Sequence, residues 1–408
     1  MKPLCELLYD RFNTADMRPV CFRSLDDTHA RIVDRHIVFD ARWLEFSGIG
    51  RSIEVILRSF RNNPPPGHWT VLARSDAVRE LLWPQATVVV LPKDPRRRVQ
   101  ELFTQIPRGD VLFFPQQIRR FYFRPTAQVI YDLIPVKAES RRIRRIAHHL
   151  YFLGLSLSSD SILSISDNAR SDIFHYLRVD SARVFPFTFP FDTELRLRVA
   201  SLQQSNLQRQ CLLFVGRIAP HKNLSALLEA FAASMWNQTA TLVIAGDGSP
   251  VDREALNASA ERLGVRCEIT GHVSQPALDL LFATSRALVQ PSLIEGFGLP
   301  ILEALSCGLP VAASSACPAA DGIADNQLVF DPTHTESMIH ALNHLWAISA
   351  IERRLPNSDD LLDQRPRPAV QEQLDLVRTQ VLDAIEQVLV HPRRRFRVPS
   401  KKRFSTRA

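Results

Sequence analysis

Two glutamates, Glu295 and Glu303, stand on either side of two glycines and a proline. A glycine-rich turn that opens into a helix forms an anion site, because the first N–H groups of the helix lack internal partners and its dipole favours negative charge. Pro300 suits the first helical position, and Gly308 suits the position just past the helix end. Two acids beside a phosphate site suit a ligand with phosphates at its centre and hydroxyl-bearing sugars on both sides.

A second block supplies cations. The sequence VGRIAPHKN at 215–223 follows a strand-like run and contains Arg217 and Lys222. An arginine offers a fork that suits phosphate, and a lysine offers a point charge. No two aspartates are separated by one residue, so the Asp-x-Asp motif of metal-dependent transferases is absent from the sequence. We therefore expect no metal, and we expect protein cations and dipoles to stabilise a leaving diphosphate.

These blocks resemble the signature of the retaining glycosyltransferases of family 4, whose hallmark is two glutamates with seven residues between them. Similar blocks are SGIGR at 47–51, IYDLIP at 130–135 and GHV at 271–273. The resemblance covers roughly residues 36–332 and favours a mannosyltransferase-like branch. It implies an α/β GT-B fold, in which two Rossmann-like doubly wound domains face each other across a cleft.

The resemblance also implies roles for individual residues. Arg217, Lys222 and Glu295 would be catalytic: the two cations would grip the donor diphosphate, and the acid would bind the transferred sugar. Glu303 would bind the ribose hydroxyls, and the backbone at Val273 would contact the base. The remaining donor-binding positions would be Gly48, Gly50, Asp132, Gly216, Gly296, Phe297, Gly298 and Leu299. Two alternatives stay open, since Gly48 and Gly50 could form a plain structural turn and Asp132 could bond its own loop.

The implied reaction is transfer of a hexose with retention of anomeric configuration, in which the departing phosphate takes the acceptor's proton. GDP-mannose is the favoured donor, and UDP-sugars occur on the same scaffold. The acceptor would be a saccharide or a lipid-linked saccharide of a surface polysaccharide, and no cofactor is expected. The alternatives are a non-hydrolysing nucleotide-sugar epimerase, which needs no acceptor, and a non-catalytic nucleotide-sugar-binding protein.

Strand-like runs alternate with helical ones along most of the chain, which predicts mainly parallel, doubly wound sheets. A lapse into polar residues before Cys211 indicates a linker. The predicted divisions are an extension at 1–35, an acceptor domain at 36–200, a linker at 201–210, a donor domain at 211–370, a helix at 371–391 and a basic tail at 392–408.

Composition favours a soluble globular protein, with 45% hydrophobic and 23% charged residues. Six scattered cysteines without CxxC spacing predict reduced thiols in the cytoplasm. The first residues lack the apolar core of a signal peptide, and no apolar run is long enough to span a membrane.

Positive charge is concentrated in the tail, where 392–408 carries eight Lys or Arg and no acid. Such a tail suits peripheral contact with an anionic membrane at the inner face or a solvated end. A second basic group comprises Arg141, Arg142, Arg144 and Arg145, for which a solvated helix face is favoured over membrane contact. No nucleic-acid motif is present, so no nucleic-acid partner is expected.

Overall fold

The computed structural model describes residues 29–44, 47–61, 63–91, 109–115, 125–190, 193–203, 211–351 and 370–390. These ranges contain two α/β domains, each built on a parallel sheet. The predictions for the first 28 residues and for the basic tail fall outside the described residues.

The N-terminal sheet has the strand order β3-β2-β1-β4-β5-β6-β7, and every neighbouring pair is parallel. Its strands are β1 His36–Asp40, β2 His68–Ala73, β3 Thr87–Val90, β4 Val111–Phe114, β5 Thr126–Ile130, β6 Ser161–Ser164 and β7 Val184–Pro186. Its helices are α1 Ser47–Arg61, α2 Ile134–Lys137, α3 Arg142–Ser158 and α4 Asp167–Leu177.

The C-terminal sheet has the order β10-β9-β8-β11-β12-β13, again with parallel neighbours. Its strands are β8 Cys211–Val215, β9 Thr241–Ala245, β10 Cys267–Gly271, β11 Ala287–Gln290, β12 Val311–Ser314 and β13 Val329–Phe330. The helices from here on are α5 Thr193–Gln203, α6 Leu224–Ala232, α7 Trp236–Thr239, α8 Pro250–Arg262, α9 Gln275–Thr284, α10 Leu299–Ser306, α11 Thr335–Ile351 and α12 Val370–Val390.

The central strands are buried on both faces, which explains why they read as apolar runs rather than as alternating patterns. All four residues of β4 and all five of β5 are buried. In α6 the apolar positions 224, 227, 228 and 231 are also buried, as their helical spacing predicts. Asn223 does not cap that helix through its side chain. It lies in the left-handed region at φ 58°, and its side-chain N–H donates to Pro332 O at 2.9 Å.

Two helices connect the domains. Helix α5 places Leu195 and Val199 in the core of the C-terminal domain, and the stretch predicted as a linker begins inside this helix. Helix α12 returns to the N-terminal domain, where its buried face joins the core beside α1. The domain boundaries themselves stay predictions. In the described part of the chain, no helix has both the length and the apolarity that crossing a bilayer requires.

Truncation of the buried face of α12 is expected to destabilise the N-terminal domain. Leu382 is fully buried, so Leu382→Ala should lower the free energy of unfolding by about 2–5 kcal/mol. Leu376 on the same helix is 40% exposed, and Leu376→Ala serves as a matched control with a much smaller effect. Urea unfolding of both variants measures the difference, and equal losses would contradict this packing.

Candidate active site

The site lies where the strand order of the C-terminal sheet reverses. Strands β8 and β11 are neighbours although they are not consecutive in the chain, so the connections leaving them diverge and open a crevice. Ligands of open α/β sheets bind in such crevices, at the carboxyl ends of the strands. Lys222 follows β8 and Glu295 follows β11. The topology thus brings together two residues that are 73 positions apart.

These two residues form a close ion pair. Lys222 Nζ lies 2.6 Å from Glu295 Oε2, and their side chains are only 12% and 14% exposed. Ser292 Oγ donates a second hydrogen bond to the same carboxylate oxygen, at 2.9 Å. A poorly solvated carboxylate needs such donors, because an unpaired buried charge is costly. The pair therefore holds an acid and a cation rigidly at the crevice.

Helix α10 begins at the same crevice. Gly298 precedes its first turn at φ 100° and ψ 47°, a region that favours glycine, and no side chain caps this end. Pro300 occupies the second helical position, one later than expected, whereas Gly308 follows the helix at φ 70° as predicted. Glu303 lies about one turn into the helix, and Glu295 lies in the preceding loop.

The N-terminal domain closes over this helix. Ser166 Oγ donates to Gly296 O at 2.7 Å, while the backbone N–H of Ala169 donates to Ser166 Oγ. Arg51 Nε of helix α1 lies 3.5 Å from Glu303 Oε1. The rings of Phe189 and Phe297 are 5.4 Å apart. Polar, ionic and aromatic contacts thus join the two domains across the cleft.

Asp132 faces the same loop from the N-terminal side. A Cβ added at Gly296 would lie 3.1 Å from Asp132 Oδ2, so the absence of a side chain there permits the approach. Burial raises the pKa of Asp132 above its ordinary value, the N–H of Ile134 lowers it, and the charge of Glu295 raises it further. Asp132 Oδ1 accepts from Ile134 N at 3.0 Å, so it bonds its own loop and also lies at the cleft.

The neighbouring tyrosine is turned away from the cleft. The Tyr131 hydroxyl donates to Pro115 O at 2.7 Å, and burial raises the pKa of this phenol. The hydroxyl is therefore engaged with the backbone of its own domain.

Gly48 and Gly50 belong to the first turn of α1 and not to a loop before it. A Cβ on Gly50 would lie 2.1 Å from Leu44 O, so this glycine is required by packing within its own domain. A Cβ on Gly48 would meet only Leu299 Cδ1, at 3.8 Å across the cleft. Gly50 therefore has a structural role in the packing of its own domain, and Gly48 borders the cleft.

The other predicted donor positions are spread along this edge of the sheet. Gly216 and Arg217 follow β8, and Arg217 is exposed. Burial lowers the pKa of His221, the charge of Lys222 lowers it further, and the charges of Glu295 and Arg217 act in opposite directions. Val273 follows the edge strand β10, two strands away from β8. The ligand roles of all these residues stay predictions.

Sequence reasoning missed several contributors. Ser166 and Phe189 support the site through contacts between distant segments, which no spacing reveals. Ser292 bonds Glu295, three residues later in the same loop. Asp40 and Arg42 form a buried ion pair at the end of β1, with Arg42 Nε 2.7 Å and Nη2 2.6 Å from the two carboxylate oxygens. A buried Asp at a strand end followed by a nearby Arg was the available signal. No group of three metal-binding side chains occurs within the described ranges.

One family model matches part of the chain. Residues 201–356 match the model described as glycosyl transferases group 1, and this range contains all of the C-terminal sheet. The resemblance predicted from the sequence is thereby confirmed, and Lys222 and Glu295 lie inside the matched range.

Curated relatives and solved structures agree with this assignment. The chain is 31% identical over 200 residues to O-antigen chain mannosyltransferase B of Escherichia coli, covering 46% of this chain and 52% of that relative. It is 26% identical over 245 residues to the serotype-specific mannosyltransferase WbdA of the same organism, covering 56% of this chain and 30% of that relative. The chain thus spans about half, or less, of the length of these relatives.

The fold is that of solved glycosyltransferases. WaaG, described as involved in lipopolysaccharide biosynthesis, superposes with a TM-score of 0.60 at 18% identity, covering 88% of this chain and all of that one. Anabaena Alr3699/HepE in complex with UDP-glucose gives 0.60 at 16% identity, covering 87% and 98%. These likenesses show the GT-B fold and confirm the predicted class.

Gly50→Ala and Gly48→Ala separate packing from function in α1. Gly50→Ala should lower the free energy of unfolding by about 1–3 kcal/mol, because its methyl group would overlap Leu44 O. Gly48→Ala should leave stability unchanged or raise it slightly, since alanine favours helix and meets only ordinary contact. Thermal unfolding of both variants tests this, and similar stabilities would contradict the packing assigned to Gly50.

The buried Asp132 carboxyl should make stability depend on pH. Its raised pKa means that the folded protein retains a proton that the unfolded chain releases, so stability falls as pH rises from about 3.9 through the folded value. Asp132→Asn keeps an acceptor for Ile134 N but cannot ionise. At pH 7 the variant should therefore be more stable than the parent. Its free energy of unfolding should be higher by about 1.4 kcal/mol for each unit by which the pKa is raised, and its melting temperature should be higher as well.

Melting curves between pH 4 and pH 7 measure this difference. Exposed Asp34→Asn is the matched control for the substitution itself. A stability difference for Asp132→Asn that stays constant with pH would refute the elevated pKa.

Proposed function

We propose that this protein transfers a hexose, mannose in the favoured case, from a nucleoside diphosphate sugar to a saccharide or lipid-linked saccharide with retention of configuration. One observation carries the proposal. The Lys222–Glu295 pair, Glu303 and the uncapped start of α10 lie at a single crevice, which Asp132 and Arg51 border from the opposite domain. A donor with a central diphosphate and a sugar at each end needs this combination of groups.

The cations would stabilise the leaving diphosphate. An ammonium group has three N–H donors, so Lys222 can keep Glu295 and still bond a phosphate oxygen. Arg217 is exposed at the same edge and can add a bidentate contact. The N–H groups at the start of α10 would add a dipole that needs no reorganisation. This set supports heterolysis of the sugar–phosphate bond without an enzymic nucleophile.

The two acids would bind the two sugars of the donor. Glu295 is held in the crevice by Lys222 and Ser292, where it can accept from a hydroxyl of the transferred hexose. Glu303 on α10 can accept from both ribose hydroxyls, an arrangement known in dinucleotide sites. Arg51 is already next to Glu303, so the ribose must share that carboxylate or displace the guanidinium. Backbone at Val273 would meet the base.

The choice of sugar rests on the relatives. Both curated relatives named above are called mannosyltransferases, and O-antigen assembly appears in the name of the first. This supports mannose, GDP-mannose as donor, and a surface polysaccharide as product. The UDP-glucose complex of HepE supports a UDP-sugar as the second candidate. We further propose that the reaction needs no metal and takes place in the cytoplasm, in keeping with the four free cysteines of the described residues.

Calorimetric titration with UDP, GDP and ADP in the presence of EDTA tests donor recognition. The proposal expects one diphosphate, GDP in the favoured case, to bind in chelator. Binding of none of the three would contradict the donor site, and binding that requires added divalent metal would contradict metal independence. The preferred donor is then incubated with and without a saccharide acceptor. Conversion of the donor sugar without acceptor would identify an epimerase. A product whose anomeric configuration, measured by NMR, is opposite to that of the donor would refute retention.

Loss of the Glu303 carboxylate should weaken donor binding without unfolding the protein. Glu303→Ala removes two charged hydrogen bonds to ribose, and charged hydrogen bonds are worth about 1.5–3 kcal/mol each, so affinity for the preferred diphosphate should fall at least about tenfold. Glu303→Gln should retain part of this affinity.

Exposed Glu254→Ala on α8 is the matched control and should bind as the parent does. Calorimetry gives the affinities, and circular dichroism confirms folding. An affinity of Glu303→Ala equal to that of the parent would refute the placement of the ribose.

A further inference from the structure

Helix α3 of the N-terminal domain has two apolar faces. One face buries Phe152 and Leu155 in a core cluster with residues of β5 and α4. The opposite face exposes Ile143 by 83%, Leu150 by 61% and Leu157 by 60%, with Ile146 half exposed. Positions spaced by three, four and seven residues share one side of a helix, so these four form a continuous stripe. They are four of the fourteen large apolar side chains that the described residues expose.

The stripe is flanked by positive charge. Between Lys137 and Leu150 the sequence has five Lys or Arg and one acid, Glu139, and α3 itself contains no acid. Within the described ranges no carboxylate lies within ion-pair distance of the side chains of Arg141, Arg142, Arg144 and Arg145. An exposed apolar stripe bordered by unpaired arginines is the pattern of a helix that lies in a membrane interface. The solvated face that the sequence favoured does not explain the stripe.

A pocket adjoins the stripe and has donors for a phosphate group. It has a volume of about 320 Å³ and is lined by Val136, Lys137, Arg145, Ile146, His149 and Tyr176. Asp172 lies 2.8 Å from the Lys137 ammonium and offsets its charge, so Arg145 supplies the remaining positive charge of the lining. The mixture of apolar and cationic lining residues suits a lipid headgroup, and Ile146 belongs to both the pocket lining and the stripe.

We propose that the outer face of α3, together with this pocket, docks the protein on an anionic membrane surface. Charge complementarity selects this occupant, since the face carries a net positive charge and phospholipid headgroups carry the opposite charge. The docking face is also near the reaction cleft. Asp132 lies at the cleft, and α2 leads directly from its loop to Lys137 and the pocket. Docking through α3 therefore places the cleft beside the membrane. The inference does not depend on which donor the enzyme uses.

The decisive experiment is co-sedimentation of the full chain with vesicles of phosphatidylcholine alone or mixed with phosphatidylglycerol. The parent should bind the anionic vesicles, and binding should weaken as NaCl is raised. Ile143→Ser/Ile146→Ser/Leu150→Ser removes most of the stripe and should reduce binding by up to about a thousandfold, since each buried apolar side chain contributes about tenfold and the factors multiply. Arg142→Gln/Arg144→Gln should reduce binding by about fivefold per arginine.

Two controls separate the stripe from other sources of binding. Leu197→Ser/Val251→Ser/Leu280→Ser removes three exposed apolar side chains elsewhere and should bind as the parent does. A variant with the eight basic residues of the tail changed to Gln tests that segment, and it should retain the dependence on the α3 stripe. Melting temperature confirms that each variant is folded.

Several results would overturn the proposal. The stripe variant could bind anionic vesicles as tightly as the parent. The tail variant could lose all binding while the stripe variant retains it. The parent could fail to bind vesicles and form a dimer that the stripe variant disrupts, which would assign the face to a second copy. The parent could also fail to bind vesicles while the stripe variant melts at a lower temperature. That result would mean that another segment of this chain covers the stripe.

Discussion

The parallel order of both sheets is the constraint on which the site depends. Parallel strands send every carboxyl end to one edge, and the reversal of strand order between β8 and β11 leaves a crevice there. Lys222 and Glu295 meet in that crevice because their strands are neighbours. Their pairing lets an acid and a cation remain in a poorly solvated position, where each alone would be costly. An antiparallel sheet would distribute these residues between opposite edges.

Closure of the cleft adds a second layer of contacts to this arrangement. Ser166 bonds Gly296, Asp132 packs against the same glycine, and Arg51 reaches Glu303. Each of these contacts is made to a residue of the segment 295–303, which carries the two glutamates of the family motif. Apolar packing accompanies these polar contacts, since Phe297, Leu299 and Leu302 pack against the N-terminal core. Helix α12 adds a long apolar face on the same domain, so the two halves are joined by apolar as well as polar contacts.

The glycines of the site serve different physical purposes. Gly298 provides a left-handed turn at the start of α10, and Gly296 permits the approach of Asp132. Gly50 is required by packing, because the backbone at Leu44 is so close. A glycine-rich sequence motif therefore combines ligand geometry with ordinary packing, and only the coordinates separate the two.

The sequence by itself determined the elements and the chemistry. The apolar runs of β4 and β11, the spacing of α6 and the Gly–Pro pattern around α10 follow from local preferences, so their existence and near-exact positions could be predicted. The residue types at 217, 222, 295 and 303, together with the family resemblance, predicted diphosphate and sugar binding, and these roles stay predictions. Tertiary structure decided what required contacts between distant segments: the Lys222–Glu295 pair, the bond from Ser166 to Gly296, the Tyr131 hydroxyl on Pro115 O, and the return of α12. It also decided that Asn223 bonds Pro332 O and that the apolar stripe of α3 faces outward. Periodicity reports that a helix has an apolar face, but only the packing of the whole chain determines which faces remain uncovered.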